Sequence, residues 1–163
     1  MIAKTLSCTA AFCVVLLTSS LPLRAETPVA FDFNITLSPK AAKALAATKE
    51  GITFSASYYG DPKKGAEKHA NEVGQIDLGQ ERTDLPGEPG KVHVSGGDFD
   101  AKRLKWIDGP LYVNVNVFSS RKSGPDNILS CDFIDTDLKN VTGQPTTLHC
   151  SLIEENVQTE VKP

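Results

Sequence analysis

The segment LSCDFIDTDLKNVTGQPTTLHCSL, Leu129–Leu152, carries two cysteines inside two apolar, strand-like runs. Alternate side chains of a β-strand point to the same face, so Cys131 shares its face with the large apolar residues two positions before and after it. Cys150 lies between two leucines in the same way. Both sulfurs are therefore expected to face the core. A loop that turns back antiparallel would place the cysteines opposite each other or across two sheets.

Two cysteines can also form part of a metal site or a redox pair. A metal needs several convergent donors, but Asp132 and His149 alternate onto the opposite faces of their strands. A redox pair favours close spacing and an exposed, electropositive setting, and the segment has neither. Cysteines on apolar faces of an exported protein are expected to oxidise. The sequence therefore predicts a structural disulfide between Cys131 and Cys150.

Export is predicted from the first residues, MIAKTLSCTAAFCVVLLTSSLPLRAETP. Lys4 supplies a positive charge, Ala10–Leu17 is apolar, and Ala25 is a small residue just before the first acid, which is the layout of a secretory signal peptide. The apolar run is shorter than the roughly 20 residues of a membrane-spanning helix, and no longer run follows. We therefore expect removal of residues 1–25, no transmembrane segment, and a periplasmic or secreted location.

Charge limits the class of partner. Lys4 and Arg24 are the charged residues of the predicted signal peptide, so its removal takes the formal net charge from −3 to −5. A mildly acidic chain is not suited to nucleic acid or to anionic lipid as its main partner. The expected partner is a protein or a carbohydrate of the cell envelope or its surroundings.

Hydrophobic alternation predicts strands. Apolar and polar residues alternate in VAFDFNITLS, residues 29–38, and in ITFSASYYG, residues 52–60, as in half-buried strands. Between them, SPKAAKALAATKEG has a serine that can cap a helix, a proline suited to its first position and a terminating Gly51. One short helix is expected there.

Further strand-like runs bring the predicted number to about seven. Residues 102–107 and 111–120 flank the turn sequence DGP and predict a hairpin, and residues 128–134, ILSCDFI, read as one strand. The predicted fold is all-β, an antiparallel β-sandwich with one short helix, similar in architecture to immunoglobulin-like and transthyretin-like sandwiches. The domain is expected to span residues 26–153, with a flexible tail at 154–163.

The strand LYVNVNVF gives the most suggestive surface. If its leucine and valines face the core, Tyr112, Asn114, Asn116 and Phe118 share the other face. Amides both donate and accept hydrogen bonds, and aromatic rings offer flat apolar area, so this strip predicts binding of a sugar chain or a partner protein. The alternative is ordinary cross-strand pairing, or cover by the helix predicted within residues 38–51.

Two pairs of aspartates suggest a different site. Asp98 and Asp100 lie in GGDFD, and Asp135 and Asp137 lie in DTD, both interpreted as turns at strand ends. Oxygen ligands on loops at one end of a sandwich can bind calcium, provided that both loops reach the same end. The alternative is that these aspartates make local hydrogen bonds within their turns.

Catalytic signatures are absent from the sequence. It contains no G-x-S-x-G, H-E-x-x-H, P-loop or dinucleotide-binding pattern. We therefore expect an exported, non-catalytic binding or protein-interaction module of the bacterial cell envelope, with no cofactor. One alternative is an enzyme inhibitor that inserts a loop such as Arg121–Asn127 into a cleft. The other is a calcium-binding or hydrolytic sandwich that uses the aspartate turns.

Overall fold

The computed structural model describes residues 29–163, and two β-sheets form most of this range. Helix α1 spans Pro39–Thr48 and α2 spans Leu138–Val141. Short 3₁₀ helices cover Glu67–His69, Ala101–Trp106 and Ile153–Glu155. The strands in this range are β1 Phe31–Leu37, β2 Ile52–Pro62, β3 Ile76–Leu85, β4 Gly90–Val94, β5 Ile107–Ser119, β6 Leu129–Cys131, β7 Phe133–Asp137, β8 Thr146–Leu152 and β9 Val161–Lys162.

The sheets have the orders β4-β1-β8-β6 and β3-β2-β5-β7-β9. Apolar residues of both inner faces form one core, in which the Phe33 ring of one sheet meets the Phe54 ring of the other edge to face, with centroids 5.6 Å apart. The predicted all-β sandwich is confirmed. Its sheets are mixed, because β1 pairs with β8 and β7 pairs with β9 in parallel, which the long connections between these strands allow.

The predicted hairpin at residues 102–107 and 111–120 is wrong. Residues 101–106 form a 3₁₀ helix, and β5 runs without interruption from Ile107. Asp100 caps the N-terminus of this helix, and its carboxylate accepts a hydrogen bond from the Lys102 backbone N–H at 3.0 Å. The guanidinium of Arg103 then donates to the carbonyl oxygen of Asp77 at 2.8 Å, which fixes the helix against β3.

The segment ILSCDFI is two strands rather than one, because the chain changes sheets at Asp132. Strand β6 before this residue belongs to the four-stranded sheet, and β7 after it belongs to the five-stranded sheet. The Asp132 side chain is buried, and its oxygens accept hydrogen bonds from the backbone N–H of His149 at 3.1 Å and of Glu160 at 2.9 Å. These bonds hold the crossing point in place.

The predicted disulfide between Cys131 and Cys150 is present. The two residues are directly opposed on β6 and β8 of one sheet, with 4.0 Å between their Cα atoms. The bond therefore joins neighbouring strands and does not cross between the sheets. Cys150 is fully buried among the core residues, while Cys131 is half-buried.

The C-terminal residues 154–163, predicted as a flexible tail, instead pack on the domain. Glu155 accepts hydrogen bonds from the Ser38 hydroxyl at 2.6 Å and from the Leu152 N–H at 2.8 Å. Val161–Lys162 then pairs with β7. The predicted signal peptide lies outside the described residues. No helix within residues 29–163 is long and apolar enough to cross a membrane.

Helix α1 begins where the sequence predicts. The Ser38 hydroxyl accepts a hydrogen bond from the Ala41 N–H at 3.0 Å, and a proline occupies the first helical position. Ala41 and Leu45 are fully buried, and the helix contacts β1 and β8. These contacts place α1 against the four-stranded sheet. The helix therefore does not cover the outer face of β5 in the other sheet.

Candidate functional site

The predicted strip lies on the outer face of β5. Tyr112, Asn114 and Phe118 are half-buried and Asn116 is exposed, and they alternate with three buried valines. The inward and outward residues of this strand are therefore those that the alternation predicts. Strand β5 is the middle strand of its sheet, so the strip has neighbours on both sides.

Strand β2 supplies a matching row of side chains beside the strip. Its outward residues are one tyrosine, two serines and a threonine, each directly opposite one residue of the strip. The opposed pairs are Tyr59 with Tyr112, Ser57 with Asn114, Ser55 with Asn116, and Thr53 with Phe118. The face therefore carries polar side chains in its middle, with two tyrosines at one end and Phe118 opposite the buried Thr53 at the other.

The tyrosine end is built from three strands. The rings of Tyr59 and Tyr112 stack with centroids 5.3 Å apart and planes 20° from parallel. The Tyr59 hydroxyl donates a hydrogen bond of 2.6 Å to Asp135 on β7. Burial raises the pKa of Tyr59, and the hydrogen bond to Asp135 and that residue's charge raise it further. This phenol therefore stays protonated and remains a donor at neutral pH.

A shallow depression of about 440 Å³ opens beside Tyr59, the member of the stacked pair that lines it. Its size falls in the range of small-ligand sites, although its lining is more polar than is usual for such sites. The Gln80 amide donates to the Ser57 hydroxyl at 2.9 Å, so part of the lining is already oriented. The lining residues are Ser57, Tyr58, Tyr59, Asn71, Gln75, Asp77, Gln80, Asn114 and Asp135.

The other end of the strip is less open. The guanidinium carbon of Arg82 lies 5.2 Å from the centre of the Phe118 ring, an arrangement that covers its face. The Asn116 amide donates to the side-chain oxygen of Asn114. Of the two aromatic rings of the strip, Phe118 is therefore in contact with Arg82, and Tyr112 stacks on Tyr59.

Of the residues that line the depression, sequence reasoning singled out Asn114 for the strip and Asp135 as a calcium ligand, and it missed the others. Tyr59 occupies one of the polar positions in the alternation of its strand, so the sequence indicates that its side chain faces outward. What the sequence does not show is that β2 pairs with β5 in the register that places Tyr59 opposite Tyr112. Gln80 and Asp77 belong to β3, and no local pattern shows that this strand lies beside β2.

The two aspartate pairs do not come together. Asp135 lies within β7, not in a turn, and Asp137 ends that strand with its carboxylate 2.7 Å from the Lys139 ammonium. Asp98 and Asp100 instead lie beside β3, where the Asp100 N–H donates to the carbonyl of a β3 residue. Strands β2 and β5 separate these positions. Within residues 29–163, no three His, Cys, Asp or Glu side chains are grouped so that they could hold a metal ion.

The predicted inhibitory loop, Arg121–Asn127, connects β5 to β6 and is exposed from residue 121 to 126. It contacts Glu50, which the sequence did not mark. Burial alone would raise the pKa of Glu50, but hydrogen bonds from the Ser123 side chain and from three backbone N–H groups lower it to about 2. Glu50 is therefore a buried carboxylate that stays charged.

Comparisons with protein-family models, with curated proteins and with solved structures gave no match.

Proposed function

We propose that this protein is an exported binding module that holds a saccharide on the outer face of its five-stranded sheet. The observation that carries the proposal is the stacked pair Tyr59–Tyr112 at the edge of a polar depression.

The chemistry of a sugar matches this arrangement. A pyranose ring has an apolar C–H face, which packs on an aromatic ring, and a rim of hydroxyls that both donate and accept hydrogen bonds. Asn114 and Gln80 supply amides, and Asp135 supplies an acceptor that is already oriented by Tyr59. The groups face water and are fixed by the sheet, so binding requires little rearrangement.

The proposal also includes the cellular location of the protein. The first 25 residues have the pattern of an export signal, and the disulfide Cys131–Cys150 is a bond that persists in oxidising compartments. We place the protein in the bacterial periplasm or outside the cell, where it binds a carbohydrate of the envelope. Its role there is binding without catalysis.

Titration of the purified protein with a panel of neutral cell-wall and storage oligosaccharides, followed by heteronuclear NMR, tests the proposal. We expect shifts centred on Tyr59, Tyr112 and Asn114, and an affinity reduced at least tenfold by Asn114→Ala or Tyr112→Ala. Thr147→Ala is the matched control, because this residue is exposed on a strand of the other sheet. Absence of binding across the panel, or equal binding by all variants, would refute the proposal.

A further inference from the structure

The depression beside Tyr59 combines negative charge with neutral hydrogen-bonding groups. Two of its lining residues, Asp77 and Asp135, carry carboxylates, and the others are serine, tyrosine, asparagine and glutamine. Within the described range 29–163, no lysine, arginine or histidine lines it. A ligand in the depression therefore meets negative charge that no cation of the lining offsets.

The two carboxylates stand on opposite sides of the depression. Asp77 on β3 is paired with Tyr59 on β2, and Asp135 on β7 is paired with Asn114 on β5. Strands β2 and β5 lie between β3 and β7, so the backbones of the two aspartates are about 14 Å apart or more at the usual strand spacing. The two charges therefore act at different places on a bound ligand.

Asp135 is held in one orientation but is not neutralised. Its carboxylate accepts the hydrogen bond of 2.6 Å from the Tyr59 hydroxyl. This bond orients the carboxylate and leaves its charge in place, because the phenol is neutral. Asp135 is exposed, and no lysine, arginine or histidine of residues 29–163 forms a salt bridge with it. It is therefore a fixed and accessible negative charge.

Asp77 is less available to a ligand than Asp135. One of its oxygens accepts a hydrogen bond from the Gly79 N–H at 2.9 Å, and the other lies 3.7 Å from the Arg103 guanidinium. The same guanidinium lies 3.3 Å from the Asp100 carboxylate, so Arg103 is shared between two acids. The strongest attraction for a cationic group of a ligand is therefore beside Asp135.

The ionisation of Tyr59 reflects the same negative potential. Burial raises the pKa of its phenol, and the charges of Asp135 and Asp61 raise it further because they repel the phenolate. A negative group of a ligand would meet the same repulsion in the depression, whereas a positive group would be attracted. The depression therefore distinguishes ligands by the sign of their charge.

The neutral groups of the lining distinguish a cationic sugar from other cations. A metal ion needs several convergent ligands, and no three His, Cys, Asp or Glu side chains of residues 29–163 are grouped to hold one. A simple polyamine has no hydroxyls, so it would leave the amides of Gln75, Gln80 and Asn114 with water as their partner. A sugar with an amino group supplies both the cation and the hydroxyls.

Given the saccharide-binding function proposed above, on which this step rests, we propose that the site selects amino sugars that carry a free, protonated amine. The ammonium donates hydrogen bonds to the Asp135 carboxylate, while neighbouring hydroxyls bond to the amides of Asn114 and Gln80. Acetylation of the amine removes the charge, so N-acetylated sugars lose this contact. Sugars with carboxylate or sulfate groups are repelled by Asp135 and Asp77.

Calorimetric titration of the purified protein with matched tetrasaccharides tests this selection. The β-1,4-linked tetramers of glucosamine, N-acetylglucosamine and glucose differ only in the substituent at one ring position, and the tetramer of glucuronic acid adds negative charge. At about pH 6, where a primary amine is protonated, the glucosamine tetramer should bind about fivefold more tightly than the two neutral tetramers, the gain expected of one exposed ion pair. The glucuronic acid tetramer should bind most weakly.

Asp135→Asn removes the charge and keeps an acceptor for the Tyr59 hydroxyl. It should bring the affinities for the glucosamine and glucose tetramers to within about twofold of each other. Asp137→Asn is the matched control and should keep the preference, because Asp137 lies on the same strand outside the depression and is paired with Lys139. Thermal melting of both variants shows that the fold is retained.

Equal affinity of wild type for the glucosamine and glucose tetramers would overturn the selection of amines and leave saccharide binding standing. A preference that persists in Asp135→Asn, or tightest binding of the glucuronic acid tetramer, would overturn it as well. Spermidine that binds as tightly as the glucosamine tetramer would show a site for amines without recognition of the sugar. Absence of binding by all four tetramers would contradict the saccharide function and this selection together.

Discussion

The hydroxyl of Tyr59 on β2 reaches across β5 to donate a hydrogen bond of 2.6 Å to Asp135 on β7. This bond spans three strands on the outer face and orients one side of the candidate saccharide site. Burial and the Asp135 carboxylate together raise the pKa of the phenol, because both disfavour the phenolate.

Asp135→Asn should therefore lower the pKa of Tyr59. Neutralising the carboxylate removes the repulsion, while burial keeps the pKa above the ordinary value of about 10 for tyrosine. An alkaline titration of tyrosine absorbance, with Tyr59→Phe to identify the signal, measures the change. Asp137→Asn is the control, because this residue is not hydrogen-bonded to Tyr59. An unchanged pKa in Asp135→Asn would show that the bond does not form in solution.

The local sequence pattern predicts the strands and the outward strip of β5, but it does not predict contacts between residues that are far apart in the sequence. The alternation in β1, β2 and β5 predicts which side chains face the core, because one face of each strand is buried. The sequence around Asp132 does not indicate that the chain changes sheets at this residue. Its role comes from hydrogen bonds to His149 and Glu160, which no local pattern indicates.

The same reason explains what was missed at the candidate sites. Tyr59 meets Tyr112 only through the register of two strands, and Glu50 meets Ser123 across 73 positions of the sequence. The sequence predicts a strand at residues 102–107 because the turn sequence DGP separates this segment from the next apolar run. The Asp100 side chain instead caps a 3₁₀ helix at these residues. Contacts between this helix and β3, which the sequence does not show, also stabilise it.

Glu50 makes the free energy of unfolding depend on pH in the acid range. Its pKa is about 2 in the folded protein against an ordinary value of 4.5. The lowered pKa stabilises the fold fully above about pH 4.5, and this contribution, on the order of 3 kcal/mol, is lost as the pH falls towards 2. Glu50→Gln should be less stable than wild type at neutral pH, and the difference should shrink over this window.

Urea denaturation at several pH values between 2 and 7 measures this difference. Glu88→Gln is the matched control, since Glu88 is an exposed glutamate of the neighbouring loop and its replacement should leave the free energy of unfolding at neutral pH unchanged. A constant difference between wild type and Glu50→Gln from pH 7 to pH 2 would contradict the proposed role of the charge.

The disulfide should contribute substantially to stability. Cys131 and Cys150 are 19 residues apart, and closing a loop of this size in the unfolded chain is worth roughly 3 kcal/mol in the loop-entropy account. The double variant Cys131→Ala, Cys150→Ala should lose about this free energy of unfolding. Denaturation with and without dithiothreitol measures it. The reductant should destabilise wild type and leave the double variant unaffected; equal effects on the two would argue against the bond.

Gly79 is required by the bulge in β3. Its φ of 115° lies in the left-handed region, and a Cβ at this position would stand 2.0 Å from the carbonyl oxygen of Asp98. The register of β3 against β2 shifts beside this residue, so the backbone of the Asp98 loop approaches closely there. Gly79→Ala should therefore destabilise the protein by about 3 kcal/mol or more.

Gly143→Ala is the matched control, because a Cβ there would meet no atom within 4 Å, and it should change the free energy of unfolding by less than about 1 kcal/mol. Urea denaturation compares the two variants. Because Gly79 lies between Asp77 and Gln80, which line the depression beside Tyr59, its replacement should also weaken saccharide binding. A Gly79→Ala variant as stable as Gly143→Ala would mean that the Asp98 loop does not rest against β3.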